Sequence, residues 1–389
     1  MKIIQILTHS PSWISKKIEE DIYDGWHVQT ARAIRKTTKE FQFECILPEK
    51  TLPKIISEER EGINYKVFPS TPFTYGREIS LPMIQALKKM QGEEIILHIH
   101  GLHNYLTYTL CRNFRGKPII IQHHGDCPPL NLLERRRALI PFAPILGMEQ
   151  IIMSNSLKFV DYFFVLTECE RRALLKVVRP EKIKIQGMGV DFNHFLPRQK
   201  NEARKQLNLP LLDELKILLY VGKLQKYKGC EVVIDVFKEL KNNHNIKLLL
   251  VGGSDADDLY SYAKASGAVI ICRQPNERMP IFYSAADVTL LPGTKPLTDW
   301  GGIGIALIES LACGTPVVAG TLKNFPGEIA NIGFLATTKK EVIDGVQFIL
   351  KNPENFNHCR AEAEKYFDWQ IIAQNTTAIY RRLAKEYYG

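Results

Sequence analysis

Three stretches of this chain place side chains and backbone where they could handle a phosphorylated, hydroxyl-rich ligand. The first is Tyr220-Val221-Gly222-Lys223-Leu224-Gln225-Lys226-Tyr227-Lys228-Gly229, an apolar run leading through a glycine into a basic loop. Glycine lets the backbone approach a ligand closely, and the ammonium groups of Lys223 and Lys228 can converge on a diphosphate. A helix opening at Gly229 would add free N–H groups to the same anion site. A solvated lysine-rich loop has the same composition. The Walker spacing G-x-x-x-x-G-K-[ST] is absent, so this is not a P-loop.

The second stretch runs from Leu290-Leu291-Pro292-Gly293-Thr294 to Gly301-Gly302-Ile303-Gly304-Ile305, and then through Glu309 to Gly314-Thr315-Pro316-Val317-Val318. A strand ending at Leu291 and a helix starting near Gly302–Gly304 would expose backbone amides at a helix N-terminus, which suits an anion. Glu309 lies within an otherwise apolar helix, where a carboxylate seldom stays buried without a partner. A ribose diol could be that partner, because a carboxylate accepts two hydroxyl hydrogen bonds. A single solvated glutamate is the plainer reading.

Histidines supply the third. His124, in Gln122-His123-His124-Gly125-Asp126, follows a strand and could reach a ligand at its carboxyl end. His98 and His100 alternate on one strand face and could chelate a metal, but no Asp, Glu or Cys nearby completes a site. No metal is therefore expected, and His100-Gly101 reads as the floor of an acceptor pocket. Gly25 and Trp26, just before a helix, border the same region; Trp26 could equally be a packing residue.

The elements that must hold these residues alternate between short apolar strands and helices. Strands are expected at 3–7, 43–47, 95–99, 118–122 and 162–166, then at 217–221, 247–251, 269–271, 288–291 and 316–318. Helical spacing covers 28–41 and 81–90. Alternation of this kind implies parallel sheets with helices on both faces, and two series imply two doubly wound domains. In such sheets ligands bind beyond the carboxyl ends of the strands. The chemistry-bearing loops follow Leu7, Ile99, Gln122, Val221, Val251 and Leu291, so two sheets facing across a cleft could hold one substrate each.

At this density of motifs, the chain resembles the retaining glycosyltransferases of family four, also described as glycosyl transferases group 1, which have the GT-B fold. Glu309 matches the second glutamate of that family's signature, implied to hold the donor ribose. Gly302 and Gly304 match its glycines, with Ile303 and Ile305 beside them, whose amides meet the diphosphate. Lys223 and Lys228 fall at its Arg and Lys, after Gly222. His124 matches the histidine implied to orient the donor sugar. The stretches Ser284–Val288 and Gly187–Asp191, together with Phe195, Pro197 and Phe367-Asp368-Trp369, also fit the family's order. A polar, charged stretch with Pro197 and Pro210 interrupts the apolar runs near 192–209, which puts the domains at 1–195 and 196–367; the resemblance implies a closing helix over 368–389 that returns to the first domain. It implies no covalent nucleophile, no metal and no cofactor. The donor is expected to be a UDP- or GDP-sugar, and the acceptor a saccharide or a lipid-linked one. Domain closure would assemble the site and exclude water.

Three departures stand out. Gly301 replaces the first glutamate, Ile303 replaces a phenylalanine, and Lys223 replaces an arginine, exchanging a planar fork for a point charge. Asp299 could supply the missing carboxylate, and Trp300 could stack on a sugar. A non-catalytic GT-B module that binds a sugar nucleotide is the alternative that Gly301 raises. A sugar-nucleotide epimerase on the same fold would lack the Glu309–Gly-Thr-Pro string.

Composition narrows the setting. The chain has 389 residues, 45% hydrophobic and 24% charged, with eight singly placed cysteines that read as free thiols in a reducing compartment. No apolar run approaches the roughly 18–20 residues of a membrane span, and the start reads as a strand rather than a signal peptide, so a cytoplasmic location is expected. Residues 1–200 hold 29 Lys and Arg against 21 Asp and Glu; the remainder holds 22 against 21. A basic first half favours anionic partners, either phosphates or the acidic inner face of a membrane, with peripheral contact expected. No nucleic-acid motif accompanies the charge. Arg135-Arg136-Arg137 followed by the apolar stretch to Met148 fits a lipid surface or buried packing, and its prolines spoil a regular amphipathic helix.

Overall fold

The computed structural model describes residues 1–11, 22–74, 77–124, 143–212, 214–242, 245–294 and 301–389. They form two compact units, Met1–Gln186 with Ile372–Gly389, and Gly187–Ile371.

In the first unit the elements follow as β1 (Lys2–Leu7), α1 (Trp26–Thr37), β2 (Gln42–Glu49), β3 (Ile56–Arg60), β4 (Ile63–Pro69), β5 (Thr71–Thr74), β6 (Arg77–Ile79), α2 (Leu81–Lys89), β7 (Ile95–His100), α3 (Tyr105–Asn113), β8 (Ile119–Gln122), α4 (Ala143–Leu157), β9 (Tyr162–Val165), α5 (Glu168–Leu174) and β10 (Ile183–Ile185). The main sheet has the order β10-β9-β8-β7-β1-β2-β4-β3, and all its pairings are parallel except the β3–β4 edge. Chain order reverses between β1 and β7. The carboxyl ends of those two strands, at Leu7 and His100, therefore flank the crevice where such sheets bind ligands.

The second unit contains α6 (Lys200–Gln206), β11 (Lys216–Val221), α7 (Cys230–Leu240), β12 (Ile246–Val251), α8 (Tyr260–Ser266), β13 (Val269–Ile271), α9 (Met279–Ala285), β14 (Val288–Leu291), α10 (Ile305–Ala312), β15 (Val317–Ala319), β16 (Gly333–Leu335), α11 (Lys339–Lys351) and α12 (Cys359–Phe367). The last helix, α13 (Trp369–Tyr388), begins in this unit and ends in the first. Its sheet, β13-β12-β11-β14-β15-β16, is parallel throughout and reverses order between β11 and β14. The second crevice thus lies after Val221 and Leu291. Central strands such as β11 and β14 are apolar on both faces because separate clusters of helix side chains cover each side.

All ten strands read from the sequence are present, with ends shifted by a residue or two. Pro118 and Pro316 fall just outside their strands. Proline has no N–H for the ladder, but its carbonyl still serves, accepting from Leu97 at 3.0 Å and Thr289 at 3.0 Å. Helix α1 ends at Thr37 rather than Phe41. Thr38 is extended, which frees Phe41 to pack on Tyr380 at 5.7 Å between ring centroids. Six further strands were not expected. One pair, β3 and β4, is joined by Glu61 and Gly62, both at positive φ (52° and 69°), the conformation that tight hairpins need.

The unit boundary lies at Gln186–Gly187 in place of the expected 195/196. Val190, Phe192 and Phe195 are buried in the second core, and Arg360 holds that segment by donating to the carbonyls of Phe192 (2.7 Å) and Phe195 (2.6 Å). The return to the first unit falls at Ile372 instead of 368. Trp369 still belongs to the second unit, its N–H donating to Val190 at 3.3 Å.

Candidate functional site

In the second unit, the loops after β11 and β14 are built to touch. At Gly229 (φ +79°) a Cβ would stand 2.6 Å from the Gly293 nitrogen, so only glycine admits this approach. Thr294 then donates to the Tyr227 carbonyl from its N–H (3.2 Å) and its hydroxyl (2.8 Å). Asp257 braces the first loop, its carboxylate accepting from the amides of Leu224 (3.1 Å) and Ser254 (3.0 Å).

Lys223 is exposed and Lys228 half-buried on this frame. Lys226, between them, pairs with Glu231 at 3.1 Å, whereas among the described residues no carboxylate forms an ion pair with Lys223 or Lys228. Burial lowers the pKa of Lys228, and the neighbouring Lys223 ammonium lowers it further; Asp257 works in the opposite direction. Two neighbouring ammonium groups that, among the described residues, form no ion pair favour an anion between them.

Across the switch point, α10 begins after Gly304, which is extended and makes no side-chain cap. A Cβ on Gly304 would meet nothing within 4 Å, so this turn is open at the start of α10. Gly302 sits at φ +61° and is buried, Ile303 packs into the core, and Gly301 and Ile305 are half-buried. Glu309 lies one turn into α10. Its Oε2 accepts from the Tyr283 hydroxyl at 2.6 Å, and among the described residues Oε1 has no protein partner. Burial raises the carboxyl pKa, while the Tyr283 hydrogen bond and nearby His194 moderate the rise. Burial and the Glu309 charge drive the Tyr283 phenol well above its ordinary value, so it stays a donor. Tyr283 and His194 were not anticipated as parts of this site. Tyr283 directly precedes the Ser284–Val288 stretch, a position from which its role could have been read.

In the first unit a cavity of about 230 Å³ opens at the carboxyl ends of β1 and β7, lined by His9, Asp24, Trp26, His27, His100 and His124, among others. Gly25 is the extended residue that starts α1 and accepts from the amides of Val28 (2.9 Å) and Gln29 (3.0 Å). Trp26 is 45% exposed and lies 4.5 Å from His124 ring to ring, which leaves an aromatic surface open to a ligand rather than packed away. Asp24 is engaged by Arg32 (2.6 Å) and Gln29 (2.7 Å). Burial lowers the His27 pKa to about 3, so this ring is neutral.

His98 and His100 each commit one ring nitrogen to a neighbouring side chain: His98 Nδ1 to the Tyr380 hydroxyl at 2.7 Å, and His100 Nε2 to Gln5 Oε1 at 2.7 Å. Among the described residues, no group of three or more His, Cys, Asp or Glu side chains is placed to hold a metal ion. Asp299, Trp300, Gly125, Asp126 and Arg135–Arg137 lie outside the described residues. Met148 and Ile151, on α4 beyond that basic cluster, are 62% and 61% exposed. No helix among the described residues is long and apolar enough to cross a membrane.

Residues 199–366 match the family Glycosyl transferases group 1. The D-inositol 3-phosphate glycosyltransferase of Streptosporangium roseum is 26% identical over 284 residues, 68% of this chain and 60% of that relative's length. The D-inositol 3-phosphate glycosyltransferase 1 of Catenulispora acidiphila is 23% identical over 392 residues, covering 91% of this chain and 89% of its own. Among solved structures, sucrose-phosphate synthase from Thermosynechococcus elongatus has a TM-score of 0.73 at 20% identity, covering 98% of this chain and 99% of its own. Anabaena HepE in complex with UDP has a TM-score of 0.71 at 15% identity, with 98% and 100% coverage.

Proposed function

We propose, for a chain whose residues 199–366 match the glycosyl transferases group 1 and whose fold is GT-B, that it moves a sugar from a nucleoside diphosphate sugar to a hydroxyl acceptor with retention of anomeric configuration. The observation that carries this reading is the clustering of Lys223, Lys228 and Glu309 at one sheet's switch point, where among the described residues the two cations form no ion pair and one carboxylate oxygen has no protein partner.

Lys223 and Lys228 bind the diphosphate, assisted by amides of the Gly302–Ile305 turn. Their charge stabilises the leaving group as the glycosidic bond breaks, which is electrostatic catalysis by preorganised donors. Glu309 accepts from the ribose hydroxyls while Tyr283 fixes its carboxylate. His124 orients the donor sugar; Trp26 and His100 belong to the acceptor side. Asp299 and Trp300 contact the sugar in place of the glutamate that Gly301 lacks. We assign the reaction no cofactor beyond its two substrates.

UDP is the first donor base to test, since HepE was solved in complex with it. The acceptor is a saccharide or a lipid-linked one, and the positive first half suits an acceptor that carries phosphate. Exposed Met148 and Ile151, following a cluster of three arginines, support peripheral contact with the acidic inner face of a membrane. The direct test incubates the protein with UDP-, GDP- and ADP-sugars and measures nucleoside diphosphate release. Release from one of them supports the reading. Tight nucleotide binding with no turnover of any donor or acceptor would instead favour the non-catalytic module that Gly301 suggests.

A further inference from the structure

The peptide unit that joins Lys223 to Leu224 is gripped at both of its poles by side chains. Its carbonyl accepts from the Tyr220 hydroxyl at 2.8 Å, and its N–H donates to Asp257 Oδ2 at 3.1 Å. Each grip is itself fixed. Tyr220 lies on β11 and is 1% exposed, and burial drives its phenol pKa well above the ordinary value, so it remains a donor. Asp257, between β12 and α8, also accepts from the Ser254 amide through the same Oδ2, at 3.0 Å. Leu224 is buried over Gly253, where a Cβ would stand 2.8 Å from Leu224 Cδ1, and its carbonyl accepts from the Leu259 amide at 3.1 Å. Lys223, by contrast, is exposed.

A planar peptide leaves two soft torsions beside it, here ψ of Lys223 and φ of Leu224. Holding both poles of the plane fixes these torsions, and with them the direction in which the Lys223 side chain leaves the backbone. The Gln225 amide also reaches the Lys223 carbonyl, at 2.9 Å, but that bond lies inside the loop and moves with it. Tyr220 and Asp257 tie the plane to a strand and to a second loop. We propose that Tyr220 and Asp257 are positioning residues that aim Lys223 at the diphosphate of the donor before it binds. Preorganised charge of this kind needs no rearrangement as the leaving group forms. Asp257 has a second effect of opposite sign, because its charge raises the Lys228 pKa and weakens the pull of the two cations on an anion. Geometry and charge are therefore opposed in Asp257, whereas Tyr220 contributes geometry alone. The inference rests on the reading of Lys223 as a diphosphate ligand.

Calorimetric titration of the full chain with UDP, paired with hydrogen exchange at the Leu224 amide, tests this. Tyr220→Phe removes one hydroxyl while the Gln225 contact stays. It is expected to speed Leu224 exchange and to weaken UDP binding about three- to tenfold, the range for one hydrogen bond. In a Lys223→Ala background the same change should cost no further affinity, because nothing is left to aim. Asp257→Asn keeps an oxygen for both amides and removes the charge, so it should protect Leu224 and bind UDP at least as tightly as wild type. Asp257→Ala should release the Leu224 amide and lose affinity. Equal losses from Tyr220→Phe with and without Lys223 overturn the proposal. So does a Tyr220→Phe protein whose Leu224 exchange is unchanged, or an Asp257→Asn protein as weak as Asp257→Ala. A Lys223→Ala protein that binds UDP like wild type overturns the diphosphate reading beneath the proposal, and Leu224 exchange tells that failure from failure of the grip.

Discussion

Replacing Glu309 by glutamine separates what this carboxylate does for a ligand from what it costs the fold. Its pKa is raised by burial, so the native state holds a proton there more tightly than the unfolded chain does. The sign follows: native stability is lost as pH rises from the ordinary carboxylate range through the raised value, where ionisation opposes folding. Glutamine keeps an oxygen for the Tyr283 hydroxyl, now 2.6 Å away, and removes the charge. Glu309→Gln should therefore melt at or above the wild-type temperature at pH 7, and its advantage should shrink toward pH 4. Glu309→Ala should behave oppositely, because it leaves the Tyr283 hydroxyl without its acceptor at a cost of about 1–3 kcal/mol. For a ligand both variants lose a charged acceptor. That loss is worth roughly 1.5–3 kcal/mol, or about 10- to 150-fold in Kd. Calorimetric titration with UDP and GDP, paired with thermal melts across pH 4–8, reads both effects. A Glu309→Gln protein that binds nucleotide like wild type refutes the ribose assignment. One that is destabilised at pH 7 as much as Glu309→Ala refutes the argument from burial.

Four further outcomes are expected. Lys228→Ala should weaken UDP binding by about 1.5–3 kcal/mol, with a smaller effect at high salt for the exposed Lys223→Ala; calorimetry showing unchanged affinity in a folded protein removes the diphosphate role. Gly229→Ala should cost at least about 1–2 kcal/mol of stability from its left-handed backbone alone, and nucleotide affinity with it, because the Gly293 loop must move. Asp299→Ala should leave UDP affinity intact while lowering turnover of the whole donor, and equal turnover would mean that other groups hold the sugar. Finally, the protein should sediment with acidic liposomes at low salt and be released as salt screens the attraction; equal sedimentation with neutral liposomes argues for a soluble acceptor.

The fold was legible because its strongest signals are local. A strand such as Ile217–Val221 is apolar on both faces, a pattern that suits a buried parallel sheet, and the glycines at 222, 229 and 302 stand where the backbone takes a positive φ. The missed strands lack that signature. Arg60-Glu61-Gly62 reads as an exposed charged run, and β10 and β16 are three residues each, too short for periodicity to register. The boundary at Gln186 was displaced for a related reason. The prolines and charges after Phe192 look like a linker, but what decides membership is which core the preceding aromatics enter, and Phe192 and Phe195 enter the second.

The site divides along the same line. Lys223, Lys228, Glu309 and His124 are visible as residue types at spacings, since each sits on a loop or near a helix start fixed by the local chain. Their partners are not. Tyr283 meets Glu309 across 26 positions, and Gln5, His100 and Tyr380 converge from three elements up to 375 residues apart. Such contacts are set by topology: β1 must lie beside β7, and α13 must return to the unit that the chain left at Gln186. Anchoring side chains supplied by distant elements carry no sequence spacing to read. In this chain the last helix is tied to the first unit's sheet by the Tyr380 hydroxyl, which meets Gln5 on β1 and His98 on β7, a junction that no local pattern in the sequence announces.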